Sequence, residues 1–258
     1  MELNRIGAVV RPRNAWESID LGFSLVQAWW LPLYKVWLSF FIPLALIVYG
    51  VAFWVGFSPI TGAIIFWWLK PVPDRIVLYF LSHALFGERP TIGQTAKALP
   101  YLFWKTRLFH ALTLGRLTLI RSFLLPVWQL EGLQGKTRKQ RERLLQRRTR
   151  DTAVWLTTVC WHFEWILYFS LFGLWYLMMP VVYRVEITDL LLSSHLHLWW
   201  IEIIKIVFTI IVVSIVEPLY VAGGFILYLN RRIHLEGWDI ELAFRRLGAR
   251  LSTNAPLS

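Results

Sequence analysis

Cysteine is almost absent from this chain: Cys160 stands alone inside an apolar run. No intrachain disulfide can form, and the redox compartment cannot be read from it. Motifs that carry a reaction are also missing, since no nucleophile elbow, kinase set or dinucleotide fingerprint occurs. Gly132-Leu-Gln-Gly135-Lys136-Thr137 approaches a phosphate loop, but the pattern needs glycine where Leu130 stands, and no buried strand precedes it. His162-Phe-Glu164 is not the arrangement of metalloproteases, which sets two histidines one turn apart around a general base. Acidic side chains are scarce, 16 against 27 Lys and Arg, for a net charge of +11. The opening MELNRIGAVVRPRNAW has no secretory apolar region with a small-residue cleavage site, so the first span is expected to act as its own insertion signal. There is no internal repeat and no linker long enough to divide the chain.

What is abundant is apolar. Hydrophobic residues make up 57% of the 258 and the mean hydropathy is +0.51, whereas soluble domains are roughly 45–50% apolar. Sixteen tryptophans, several in pairs (Trp29–Trp30, Trp67–Trp68, Trp199–Trp200), suit rings seated at headgroup level. The longest apolar run, Leu198 to Asn230, exceeds the about 20 residues that cross a bilayer. Pro218 is expected to kink it, and Arg231–Arg232 mark its cytoplasmic end.

The expectation is an all-α polytopic membrane protein in the bacterial inner membrane, with about four transmembrane helices, amphipathic interfacial helices and both termini cytoplasmic. It forms one membrane domain. Residues 1–32 hold an interfacial helix, 33–86 spans one and two, 87–150 a basic cytoplasmic segment, 151–231 spans three and four, and 232–258 an amphipathic tail. Asn14 with Glu17 signals a helix start. The helix that follows, with Trp16, Ile19, Phe23, Val26 and Trp30 at helical spacing, either lies on the inner leaflet or packs on the bundle. Pro32 is expected to separate it from the first span, Leu33 to Phe57. The second span is interrupted by Lys70-Pro71-Val72-Pro73-Asp74-Arg75, and is either one helix with charges near its middle or two half-helices meeting at a break.

Fourteen Lys and Arg against three acids lie between 87 and 150, so this segment alone accounts for the whole net charge and is expected to be cytoplasmic. Thr91 with Gln94 predicts a short helix to Leu99, and residues 101–130 read as helices lying in the interface. In the tail, Ile240, Phe244, Leu247 and Leu251 share one helical face, with Asp239 and Glu241 at its start and Arg245, Arg246 and Arg250 at its end.

Three groups of residues are candidates for function. Lys70, Asp74, Arg75, Glu164 and Glu217 fall near the middle of their spans, as a polar relay or ligand site, or as a salt-bridge network that fixes helix register. Lys136, Arg138, Lys139, Arg141, Arg143, Arg147, Arg148 and Arg150 lie against a span, so anionic headgroups, worth about 1 kcal/mol per cation, are nearer than any nucleic acid. A docking surface for an acidic cytoplasmic protein is the other reading of this run. His195 and His197 fall short of the three ligands that a catalytic zinc site needs. No cofactor is implied, nucleic acid is not expected as a partner, and an oligomer is left open. The function expected is a non-enzymatic scaffold or anchor that presents the basic surface to a partner. The alternative is a transporter or channel-like protein that uses the mid-membrane charges.

Four stretches carry a family resemblance: RPRNAWESIDLGFSLV, FWWLKPVPDRIVLYFLSHALFGERPT, RSFLLPVWQLEGLQGKTRKQR and YVAGGFILYLNRRIHLEGWDIELAFRRL. Together they resemble the N-terminal membrane portion of bacterial inner-membrane proteins that carry the domain of unknown function numbered 4129. Members are often encoded beside MoxR-type AAA+ ATPases and proteins with von Willebrand factor A-like domains. The resemblance implies a membrane anchor or platform for such a complex and supplies no catalytic residue. This chain departs from the longer relatives by ending at Ser258, so the expectation is either that the extra domain is encoded separately or that the chain is a membrane-only member, and the resemblance implies no function specific to that domain.

Overall fold

The computed structural model describes residues 12–104, 108, 112–180 and 199–237. Regular structure there is helical: α1 (Ala15–Ala28), α2 (Trp30–Val55), α3 (Pro59–Leu69), α4 (Pro71–Ala84), α5 (Ile92–Trp104), a 3-10 turn (Leu114–Leu117), α6 (Arg121–Gln129), α7 (Gly135–Gln146), α8 (Arg150–Met178) and α9 (Trp199–Glu236). Two of them, α2 and α9, are long and apolar enough to cross a membrane. The amphipathic tail helix expected after Gly237, residues 181–198 and the His195/His197 pair among them lie outside the described residues.

α9 is the hub, with α1, α8, α6 and α4 packed around it. It continues as one helix through Pro218. Of the two positions left open for α1, the bundle is the one observed. Its buried stripe is Ser18, Ile19, Gly22 and Val26, while Trp16 and Trp30 are 51% and 61% exposed. Small residues explain the difference from the apolar face expected. A Cβ on Gly22 would stand 2.7 Å from the Ala222 carbonyl oxygen, so the two helices touch backbone to backbone. Asn230 then ties the start of α1 down, accepting from the Arg13 N–H and donating to the Arg13 carbonyl, both at 2.9 Å.

Several expected boundaries move. α2 begins at Trp30, before Pro32, because a proline in the first turn lacks an N–H that has no intrahelical partner anyway. The Thr91–Gln94 capping box forms, with the Thr91 N–H donating to Gln94 Oε1 at 2.8 Å. The helix it opens does not stop at Leu99 but passes Pro100 and runs on to Trp104, the last described residue of that stretch. The second apolar run is two helices, α3 and α4, joined at Lys70, with Pro71 supplying the first turn of α4.

The larger correction concerns residues 121–129. Their composition predicts helices lying in the interface, but every residue of α6 is buried. The helix is inserted among α9, α4 and α8. Gly224 admits it: a Cβ there would meet Ser122, coming 2.5 Å from its carbonyl carbon. Tyr220 Oη accepts from the Ser122 N–H at 3.2 Å and sits 3.2 Å from Thr157 Oγ1, joining α6, α9 and α8.

Candidate functional site

Four elements bring ionisable groups to one place. Glu164 lies near the middle of α8 and Glu217 near the middle of α9, while Lys70 sits at the α3–α4 junction, Asp74 in the first turn of α4 and Arg121 at the head of α6. Glu217 is the keystone. One carboxylate oxygen accepts from Lys70 Nζ at 3.0 Å and the other from Arg121 Nη2 at 2.7 Å. Lys70 also reaches Glu164 at 2.5 Å, and Arg121 reaches Asp74 at 3.1 Å. Lys70, Asp74, Arg121 and Glu217 are buried, and Glu164 is partly exposed at the edge. Charges in such a setting must be paired, because an isolated one loses its hydration without compensation.

Of the five residues expected to cluster, Lys70, Asp74, Glu164 and Glu217 therefore meet. Arg75 is fully buried, and its carbonyl accepts from Gln129 Nε2 at 3.0 Å, which adds a second tie between α4 and α6. Arg121 does not stand out in the sequence, because it falls within residues 101–130, which read as interfacial. A signal was present: it is the only charge in the nine residues RSFLLPVWQ.

One side of the network faces a cavity of about 400 Å³. Lys70, Arg121, Glu164 and Glu217 line it together with Cys160 and Arg116. Arg116 stacks on the Trp67 ring at 3.7 Å and donates to the Trp67 carbonyl at 2.7 Å. The network is thus closed by its own pairs on one side and faces open space on the other.

The basic run divides into two classes. Arg138 is buried and pairs with Glu142 at 3.3 Å, and Glu142 in turn accepts from Trp128 Nε1 at 2.7 Å. Arg141 pairs with Glu131 at 3.1 Å and with Glu236. Glu131 also accepts from Tyr228 Oη at 2.6 Å, and Glu236 from Arg232 at 2.7 Å. These contacts clamp α7 to the end of α6 and the last turns of α9. Lys136, Lys139, Arg143, Arg147, Arg148 and Arg150 remain exposed.

Glu236 lies past the apolar run of α9, at its last residue. Burial alone would raise its pKa, but hydrogen bonds from Arg232 and Arg141 outweigh that and hold it below its ordinary value. A depressed carboxylate stabilises the fold above its unfolded pKa, and the contribution is lost as pH falls through the folded value. We expect backbone hydrogen exchange in residues 135–146 to be slow at pH 7 and, after correction for intrinsic rates, to lose protection below about pH 4. Glu236→Gln should lose part of that protection already at pH 7. Equal protection in the two proteins at pH 7 would remove Glu236 from the clamp.

The fold and these contacts define a helical protein with two helices fit to cross a membrane and a buried ion-pair network beside a cavity. Scans of family models, curated proteins and solved structures each find no match to this chain.

Proposed function

We propose that this chain is a four-span protein of the bacterial inner membrane that acts as a non-enzymatic scaffold, presenting a basic cytoplasmic surface to a partner complex. The spans in this reading are α2, α3 with α4, α8 and α9, with both termini cytoplasmic. Large apolar side chains left exposed along α2 (Leu46, Ile47, Phe53, Trp54) and α8 (Phe163, Phe169, Leu177) support it. Soluble monomers rarely expose contiguous apolar patches above a few hundred Å², and lipid would cover these.

The observation that carries the scaffold reading is the clamp on α7. Arg138 and Arg141 hold the helix in place, and six cations project from the helix, the turn after it and the first residue of α8 on a fixed support. The resemblance to inner-membrane proteins with the domain numbered 4129 points to a MoxR-type ATPase or a von Willebrand factor A-like protein as the partner. The test is affinity purification from native membranes in mild detergent, comparing the intact protein with one in which only the six exposed cations are changed to Gln. Sparing Arg138 and Arg141 keeps the clamp intact. An acidic cytoplasmic partner should copurify with the first and be lost from the second; identical preparations with no partner would end the scaffold reading.

The cavity favours a second reading, a transporter or channel-like protein. Cys160, the single cysteine, lines that cavity, so the native chain carries its own probe. Rapid modification by a charged, membrane-impermeant thiosulfonate would support a water-filled route. Modification by neutral reagents alone would count against it.

A further inference from the structure

We infer that the turn between α7 and α8 forms a binding notch for the phosphate group of an anionic lipid headgroup in the adjacent leaflet. Arg143, Arg147, Arg148 and Arg150 surround a groove of about 380 Å³, completed by Gln146 and Asp151. Four guanidinium groups face one carboxylate, so the groove has a surplus of donors suited to a tetrahedral anion, which arginine grips through two N–H groups at once.

A further observation points the same way. The notch also lies at the N-terminal end of α8, a 29-residue helix whose N-cap residue, Thr149, makes no side-chain capping bond. The first N–H groups of a helix have no intrahelical partner, which favours an anion at this end.

A lipid is favoured over a soluble phosphate compound by what flanks the groove. Leu144 is 47% exposed one turn before Arg147 and Arg148, and Trp155 is 58% exposed one turn after Asp151. An acyl chain leaving a phosphate in the groove would run along these apolar side chains and on down the exposed face of α8. Lys136 and Lys139, at the far end of α7, lie outside the groove.

The inference rests on α8 being a membrane span, and alkaline carbonate extraction tests that separately: release of the protein would end the membrane reading before any lipid is measured. With the full chain in detergent, native mass spectrometry would compare retained dioleoyl phosphatidylglycerol with dioleoyl phosphatidylcholine. Phosphatidylglycerol should be retained at least tenfold better. Arg147→Gln with Arg148→Gln should abolish most of that preference, whereas Lys136→Gln with Lys139→Gln, which removes the same charge from the same segment, should keep it. Equal losses in the two double variants would mean diffuse attraction and overturn the notch, as would equal retention of the two lipids. Displacement of the lipid by submillimolar inorganic phosphate would assign the groove to a soluble anion and overturn the lipid assignment.

Discussion

Glu217→Ala is expected to lower stability by about 3–5 kcal/mol, the cost of breaking a buried ion pair and leaving its cation behind. Two cations are affected at once, because Lys70 and Arg121 each bond a different oxygen of this carboxylate. Ordinary polar contacts inside membrane proteins average only about 0.6 kcal/mol, since their groups find other partners when separated. Glu217 differs because its cations stay buried with Glu164 and Asp74 alone to hold them. Glu217→Gln should be nearly as damaging, as its amide N–H₂ would face one of the two donors. Glu164→Gln should cost less, because Glu164 borders the cavity and is partly exposed. The check is the melting temperature in detergent, with the amount of protein accumulating in membranes beside it. Pairing Glu217→Gln with Lys70→Met should recover part of the loss, since the double variant leaves no buried lysine short of a partner and the one carboxylate it frees, Glu164, is partly exposed. If Glu217→Gln melted like the native protein, the network would not hold the helices together. Its charges would then be better explained by a ligand in the cavity.

Much of this network can be read from the chain, and the reason is physical. A charge in the middle of an apolar helix needs a partner, so Lys70, Asp74, Glu164 and Glu217 declare themselves by position alone. Arg121 does not, because reading it requires knowing that α6 enters the bundle. Hydropathy cannot show that, as an inserted helix and an interfacial one have the same composition. The same limit affects α1, whose buried stripe includes Ser18 and Gly22 and carries no apolar periodicity strong enough to choose bundle over leaflet. In the basic run, composition treats eight cations alike. Only the positions of Glu131, Glu142 and Glu236 separate Arg138 and Arg141, which hold the clamp, from the six that project outward. α2 and the apolar length of α9 are legible because length and hydropathy alone determine them.

Gly224 is where that hidden insertion can be tested most sharply. A methyl group there would meet Ser122 on the inserted helix, including its backbone, so no rotamer change relieves the contact. Overpacking of this kind costs typically 1–3 kcal/mol. Here α6 itself must shift, and Arg121, next to Ser122, is drawn away from Glu217. Gly224→Ala is therefore expected to lower the melting temperature and Gly224→Leu to prevent docking of α6, read as rapid tryptic cleavage at Arg116 and Arg121. Both arginines are buried in the native protein. Gly173 on α8 is the control, since a Cβ there meets nothing within 4 Å. Gly173→Ala should be neutral or slightly stabilising, because alanine loses less backbone freedom in a helix than glycine does. Equal behaviour of Gly224→Ala and Gly173→Ala would mean that α6 does not rest on α9 in the membrane. The link from Arg121 to Glu217 would fail with it, leaving Lys70 as the single cation bridging Glu164 and Glu217.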